Sequence, residues 1–97
     1  MTEISPRARS QVVITDPLGL HLRPAAKVAI LAKSFRSDIR VLYREATADA
    51  KNLLDLVVLA VGCGTTLDIV AHGPDAEQAV AALSKSLGGA VTHGAAA

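Results

Sequence analysis

The 97-residue sequence contains no tryptophan, one tyrosine, one phenylalanine and one cysteine, Cys63. A lone cysteine excludes an internal disulfide framework and any zinc site built on cysteines, and no metal or cofactor is expected; it fits a reducing compartment, for which the cytoplasm is the expectation. Charge of one sign is lacking too. Lys and Arg number 10 against 9 Asp and Glu, a net charge of +1, so no global field exists to hold nucleic acid or an anionic membrane, and neither is expected as a partner. No run reaches the roughly 20 apolar residues that a bilayer span requires. The richest stretch, Leu53 to Gly64, is broken by Asp55 and by glycines, so membrane insertion is not expected. The opening MTEISPRARS carries two arginines, but no apolar segment of the signal-peptide kind follows them. With so few aromatics, the 51% hydrophobic content comes largely from Ala, Val and Leu. That suits one globular domain over 1–97, with a core at about 11–88 and flexible ends at 1–10 and 89–97.

What is present divides into short periodic segments. Val12, Val13 and Ile14 form a β-branched run within Gln11 to Thr15, stopped by Asp16, Pro17 and Gly19, and predict a first strand. Ala25, Val28, Ala29, Ala32 and Phe35 recur at helical spacing, which predicts a helix from about Pro24 to Phe35. Ile39, Val41 and Tyr43 alternate with Arg40, Leu42 and Arg44, the period of a half-buried strand. A further strand is expected near Ala46 to Ala50, although no glycine marks the turn before it. Asn52 suits the N-cap of a short helix carrying Leu53, Leu54, Leu56, Val57 and Leu59, with Gly62 and Gly64 as its close. Thr66 to Ala71 reads as a strand, and Ala76, Ala79, Val80, Leu83 and Leu87 as the inner stripe of a last helix stopped by Gly88 and Gly89. The order βαββαβα places one sheet beneath helices on a single face, an α+β architecture.

The segment Gly19-Leu20-His21-Leu22-Arg23-Pro24-Ala25-Ala26 places a histidine between a strand end and the first turn of a helix. First-turn backbone N–H groups lack internal acceptors and carry partial positive charge, so this location favours an anion beside a neutral, nucleophilic imidazole. A phosphoryl group attached to His21 would meet those N–H groups and the planar guanidinium of Arg23. Gly19 permits a sharp bend, and the small side chains of Ala25 and Ala26 leave room for a partner. The same location also suits a histidine that only caps or packs, so spacing leaves both readings open.

GLHLRPAA, set in this order of elements, resembles the active-site signature of HPr, the phosphocarrier family of the bacterial phosphoenolpyruvate-dependent phosphotransferase system. The likeness runs from about Gln11 to Leu87 and takes in AKNLLDL and HGPDAEQAVAAL. It implies an open-faced β-sandwich, a four-stranded antiparallel sheet with three helices on one face. It also implies that His21 is phosphorylated on Nδ1 by enzyme I and discharged to an enzyme IIA component, with Arg23 assisting. In the family the apolar surface of the second helix docks onto partners, and here Leu53, Leu54 and Val57 hold those positions. Two departures stand out. Leu22 replaces the alanine that many members carry after the histidine, and Asn52 stands where members from many Gram-positive bacteria carry a regulatory serine, so that form of control is expected to be absent.

Lys27 and Arg23 are expected to rim the docking patch and steer acidic partners, with the protein itself a monomer. Cys63 has no CxxC partner and reads as a plain loop thiol, while His72 reads as a surface residue and His93 as incidental in a loose tail. Three functions remain open at this point: a phosphocarrier for sugar transport, an HPr-like regulatory module that signals by the state of His21, and a small ligand-binding domain in which His21 only caps a helix.

Overall fold

Alternation along the strands decides which way the sheet faces. The computed structural model describes residues 6–88 and 90–95. Its elements run β1 (Arg7–Val13), α1 (Leu22–Lys33), β2 (Asp38–Tyr43), β3 (Ala46–Asp49), α2 (Leu53–Val58), β4 (Thr66–His72), α3 (Ala76–Leu87) and β5 (Ala90–Ala95). Ala8, Ser10 and Val12 of β1, Ile39 and Val41 of β2, and Leu67, Ile69 and Ala71 of β4 are buried, while most of the residues between them are exposed. A sheet so patterned can cover only one face, and all three helices lie there. α1 buries Ala25, Val28, Ala29 and Ala32, and α3 buries the stripe Ala76, Ala79, Val80, Leu83 and Leu87, as the spacing predicts. The result is the open-faced sandwich that the resemblance implies.

The strands are antiparallel in the order β3-β2-β4-β1-β5. β1 lies between β4 and β5, with Val12 opposite Leu67 and Val13 opposite Thr66 on the β4 side. Two expectations about the ends need correction. β1 begins at Arg7 and not Gln11, so residues 7–10 are paired strand, and the expected tail contains the fifth strand β5. The reason is backbone pairing: the outer edge of β1 offers donors and acceptors, and Ser10 pairs in register with His93 on β5. Strand signals in AVTHGA are weak, with Gly94 inside it, so composition hides the strand. The rest of the expected flexible ends, residues 1–5, 89, 96 and 97, lies outside the described residues.

Two turns close without the glycines that sequence reasoning looks for. Between β2 and β3, Arg44 takes φ 54°, and its guanidinium lies 5.3 Å from the centre of the Tyr43 ring. α2 ends at Val58, ahead of Gly62 and Gly64, because Ala60 adopts φ 54°. The start of α2 follows the expectation, with Asn52 Oδ1 accepting the Asp55 N–H at 3.1 Å. A third fixture joins distant segments. The Asp75 carboxylate accepts the backbone N–H groups of Arg36 and Ser37 at 2.9 and 3.0 Å and the Ser37 hydroxyl at 2.6 Å. The Ser37 hydroxyl and these N–H donors hold the Asp75 carboxyl below its ordinary titration range.

Among the described residues no helix is long and apolar enough to cross a membrane. Leu56 is the one fully buried side chain of α2, so Leu56→Ala is expected to cost about 2–5 kcal/mol in urea denaturation, whereas Leu54→Ala stays within about 0.5 kcal/mol. Asp75→Asn lowers the urea midpoint at pH 7. Because the carboxyl is depressed in the fold, its contribution is present above the ordinary aspartate range and lost as pH falls through the lowered value, so wild type and variant converge in acid.

Candidate functional site

The site is built from two neighbouring loops. Pairing of Val13 with Thr66 brings the chain leaving β1 beside the chain entering β4, and Ile14 and Thr65 continue the contact, the Ile14 N–H donating to the Thr65 carbonyl at 2.9 Å. Asp16-Pro17-Leu18-Gly19 then forms a tight turn closed by the Gly19 N–H on the Asp16 carbonyl at 2.8 Å, with proline and glycine where such a turn favours them. Asp16 Oδ1 accepts the Leu18 N–H at 2.9 Å, so the same residue braces the turn twice. Leu20 is buried, and its N–H donates to the Val61 carbonyl at 3.0 Å, which ties the turn to the loop after α2.

Gly19 sits at φ +76° against that second loop. A Cβ there would lie 2.8 Å from Gly62 Cα and closer still to the Val61 carbonyl oxygen. Glycine is therefore required for close approach as well as for the bend.

His21 occupies the N-cap position of α1 with extended backbone, φ −88° and ψ −170°, yet its side chain makes no capping hydrogen bond. The imidazole turns instead to the preceding loop, where Nε2 lies 3.2 Å from Asp16 Oδ1, and both side chains remain about one-third exposed. Nδ1 is the ring nitrogen outside this contact. Because α1 starts at Leu22, two residues before the predicted start, Pro24 falls in its first turn, and the Ala25 N–H is taken by the His21 carbonyl at 3.0 Å. The first-turn backbone donors open to an outside anion are those of Leu22 and Arg23. No acidic residue lies in that turn to neutralise them.

Arg23 and Lys27 are exposed and line a cavity of about 170 Å³ together with Asp16, Gly19, Pro24 and Leu87. Among the described residues neither cation has an ion-pair partner. The Leu18 N–H, His21 and then Arg23 hold the Asp16 carboxyl below its ordinary range.

The predicted docking residues divide. Leu54 is 72% exposed, but Leu53 and Val57 are half-buried and pack against the core. Val58, at 78% exposure, takes the outward place that the sequence assigns to them. Six residues make fewer than two helical turns, too few to phase the stripe from periodicity. Leu18 and Leu22 are also exposed, at 77% and 62%, beside His21 in the chain. Asp16 is the residue that sequence reasoning takes only for a breaker. An acid five positions before the histidine, across a proline-glycine turn, is the signal that finds it. Cys63 is exposed with Sγ 3.8 Å from the Thr15 carbonyl, and His72 is exposed at the end of β4.

Comparison with known proteins follows the same segment. A family model described as "PTS HPr component phosphorylation site" matches residues 8–88. The chain is 35% identical over 80 residues to phosphocarrier protein HPr of Mycoplasma capricolum, covering 82% of this chain and 90% of that one. It is 41% identical over 73 residues to phosphocarrier protein NPr of Shewanella violacea, covering 75% and 80%. The crystal structure of HPr from Bacillus anthracis superposes with a TM-score of 0.80 at 32% identity, over 84% of this chain and 96% of that one.

Gly19→Ala is expected to cost about 1–3 kcal/mol, read by urea denaturation, because backbone strain and collision with the Val61–Gly62 backbone act together.

Proposed function

The chain belongs to the HPr family of phosphotransferase-system phosphocarriers, and on that premise we propose that it accepts a phosphoryl group on Nδ1 of His21 from enzyme I and passes it to an enzyme IIA component. The observation that carries this reading is the imidazole held by Nε2 at the open end of α1, with no capping bond of its own and Nδ1 left outside the Asp16 contact. A neutral ring attacks with its unprotonated nitrogen. The phosphoryl oxygens gained are then met by the N–H groups of Leu22 and Arg23 and by the Arg23 guanidinium. A histidine used as a cap would spend its side chain on the helix N–H groups, so the small ligand-binding reading loses its support.

Partner choice in this reading rests on exposed side chains of the His21 loop, α1 and α2. Leu18, Leu22, Leu54 and Val58 offer exposed apolar side chains, while Arg23 and Lys27 supply exposed positive charge. Such a patch suits brief encounters with acidic surfaces: apolar contact gives affinity, and charge gives the rate of encounter. The protein acts in this reading as a cytoplasmic monomer and a carrier of phosphate, not as a turnover enzyme. Likeness to carriers named HPr and NPr alike supports a second reading. In it, the phosphorylation state of His21 is reported to a regulatory partner through the same face.

Incubation with enzyme I and phosphoenolpyruvate is expected to give an acid-labile mass gain that His21→Ala abolishes, and Leu54→Ala is expected to slow the transfer with no loss of stability. Absence of the gain in the wild-type protein overturns the proposal. Capture of partners on the phosphorylated form separates transport from regulation.

A further inference from the structure

We infer that Asp16 is a positioning residue for His21: its carboxylate holds the imidazole by Nε2, which leaves the lone pair on Nδ1 and provides a counter-ion for the positive charge that the ring acquires in transfer. This rests on the reading of His21 as the phosphoryl acceptor and adds to it the residue that selects the reacting nitrogen.

An ionised carboxylate has no hydrogen to give, so the hydrogen in the 3.2 Å contact between Asp16 Oδ1 and His21 Nε2 belongs to the ring. A neutral imidazole carries one N–H. With that N–H on Nε2, Nδ1 is unprotonated and nucleophilic. The carboxylate is itself anchored, because Oδ1 accepts the Leu18 N–H at 2.9 Å and the Asp16 carbonyl accepts the Gly19 N–H at 2.8 Å. Pro17 restricts the backbone between them. His21 is therefore oriented by a rigid turn on its own side of the helix terminus, a logic shared with the acidic residue that orients histidine in hydrolytic triads.

Charge bookkeeping points the same way. In the transfer step the Nδ1 lone pair forms the new N–P bond, and the bond between phosphorus and the donor side chain breaks, its electron pair leaving with the donor. No proton leaves Nε2, so the ring passes from neutral to singly positive while the phosphoryl group arrives. Arg23 and the α1 N-terminus face the phosphoryl oxygens, and neither can balance a cationic ring. Asp16 is the one acid among the residues lining the adjoining cavity, where Arg23 and Lys27 are the cations. On discharge the sequence reverses, and the ring returns to neutral with its hydrogen still on Nε2.

The test is Asp16→Asn, which keeps an acceptor for the Leu18 N–H and hence the turn, but removes the charge and the compulsory acceptor at Nε2. Nitrogen-15 spectra of the His21 ring, recorded where it is neutral, are expected to show the Nε2–H tautomer dominant in the wild-type protein and a raised Nδ1–H share in the variant. With enzyme I as donor, kcat is expected to fall about three- to tenfold with KM little changed, the modest size following from partial exposure of the pair. An Nδ1–H ring in the wild type, or a variant with unchanged tautomer ratio and unchanged kcat, overturns the inference. Failure of the phosphocarrier reading looks different: the wild type gains no phosphate, while the tautomer still shifts between wild type and Asp16→Asn.

Discussion

Pairing of β1 with β4 at the centre of the sheet is the constraint from which the rest of the molecule follows. The two strands are separated by 52 residues of chain between Val13 and Thr66, yet their antiparallel register brings those two residues opposite each other. The segments that leave at that end are thereby laid side by side. One carries the Asp16 turn and His21; the other is the loop that leaves α2. Hydrogen bonds from Ile14 to Thr65, from Gly64 to Ile14 and from Leu20 to Val61 extend the pairing beyond the sheet. The orientation of the imidazole is inherited from strand register, with Gly19 at a point where the second loop leaves no room for a side chain.

One-sided burial explains why the helices have so little freedom. The inner faces of β1, β2 and β4 supply Val12, Ile39, Val41, Leu67 and Ile69, all fully buried, and the small inner residues of α1 and α3 let those helices approach closely. α2 is too short to hold itself by intrinsic helix stability and depends on Leu56 beneath it and Asn52 at its start. Its outward side chains, Leu54 and Val58, are thus displayed by a helix pinned at two points.

Much of this is legible in the residues, for physical reasons that differ from element to element. The inner stripe of α3 spans three turns, so its period identifies the face without ambiguity, and Gly88 closes the helix where expected. His21 stands out in the residues because it lies between a glycine turn and the Arg23-Pro24 start of a helix, a setting that by itself leaves a capping histidine equally open. Asp16 is hidden because its contact with His21 crosses a turn, where linear spacing carries no directional information. β5 is hidden because pairing with a pre-existing edge requires little of the side chains. The turn at Arg44 and the helix end at Ala60 are hidden because both residues take φ 54° without being glycine, so the usual residue signal is missing. In α2 the error lies in phase alone: an exposed apolar residue exists, but it is Val58 that shares the surface with Leu54.

The fifth strand bears on a hazard that open-faced sheets carry. A seven-residue β1 at the rim would present a long row of unpaired amides and carbonyls, the template on which sheets from separate molecules join into aggregates. With β5 laid along it, the rims become β5 itself and the four-residue β3. The strand edge most able to recruit copies of the same chain is thereby already occupied, although apolar side chains such as Leu54 and Val58 stay exposed on the helices.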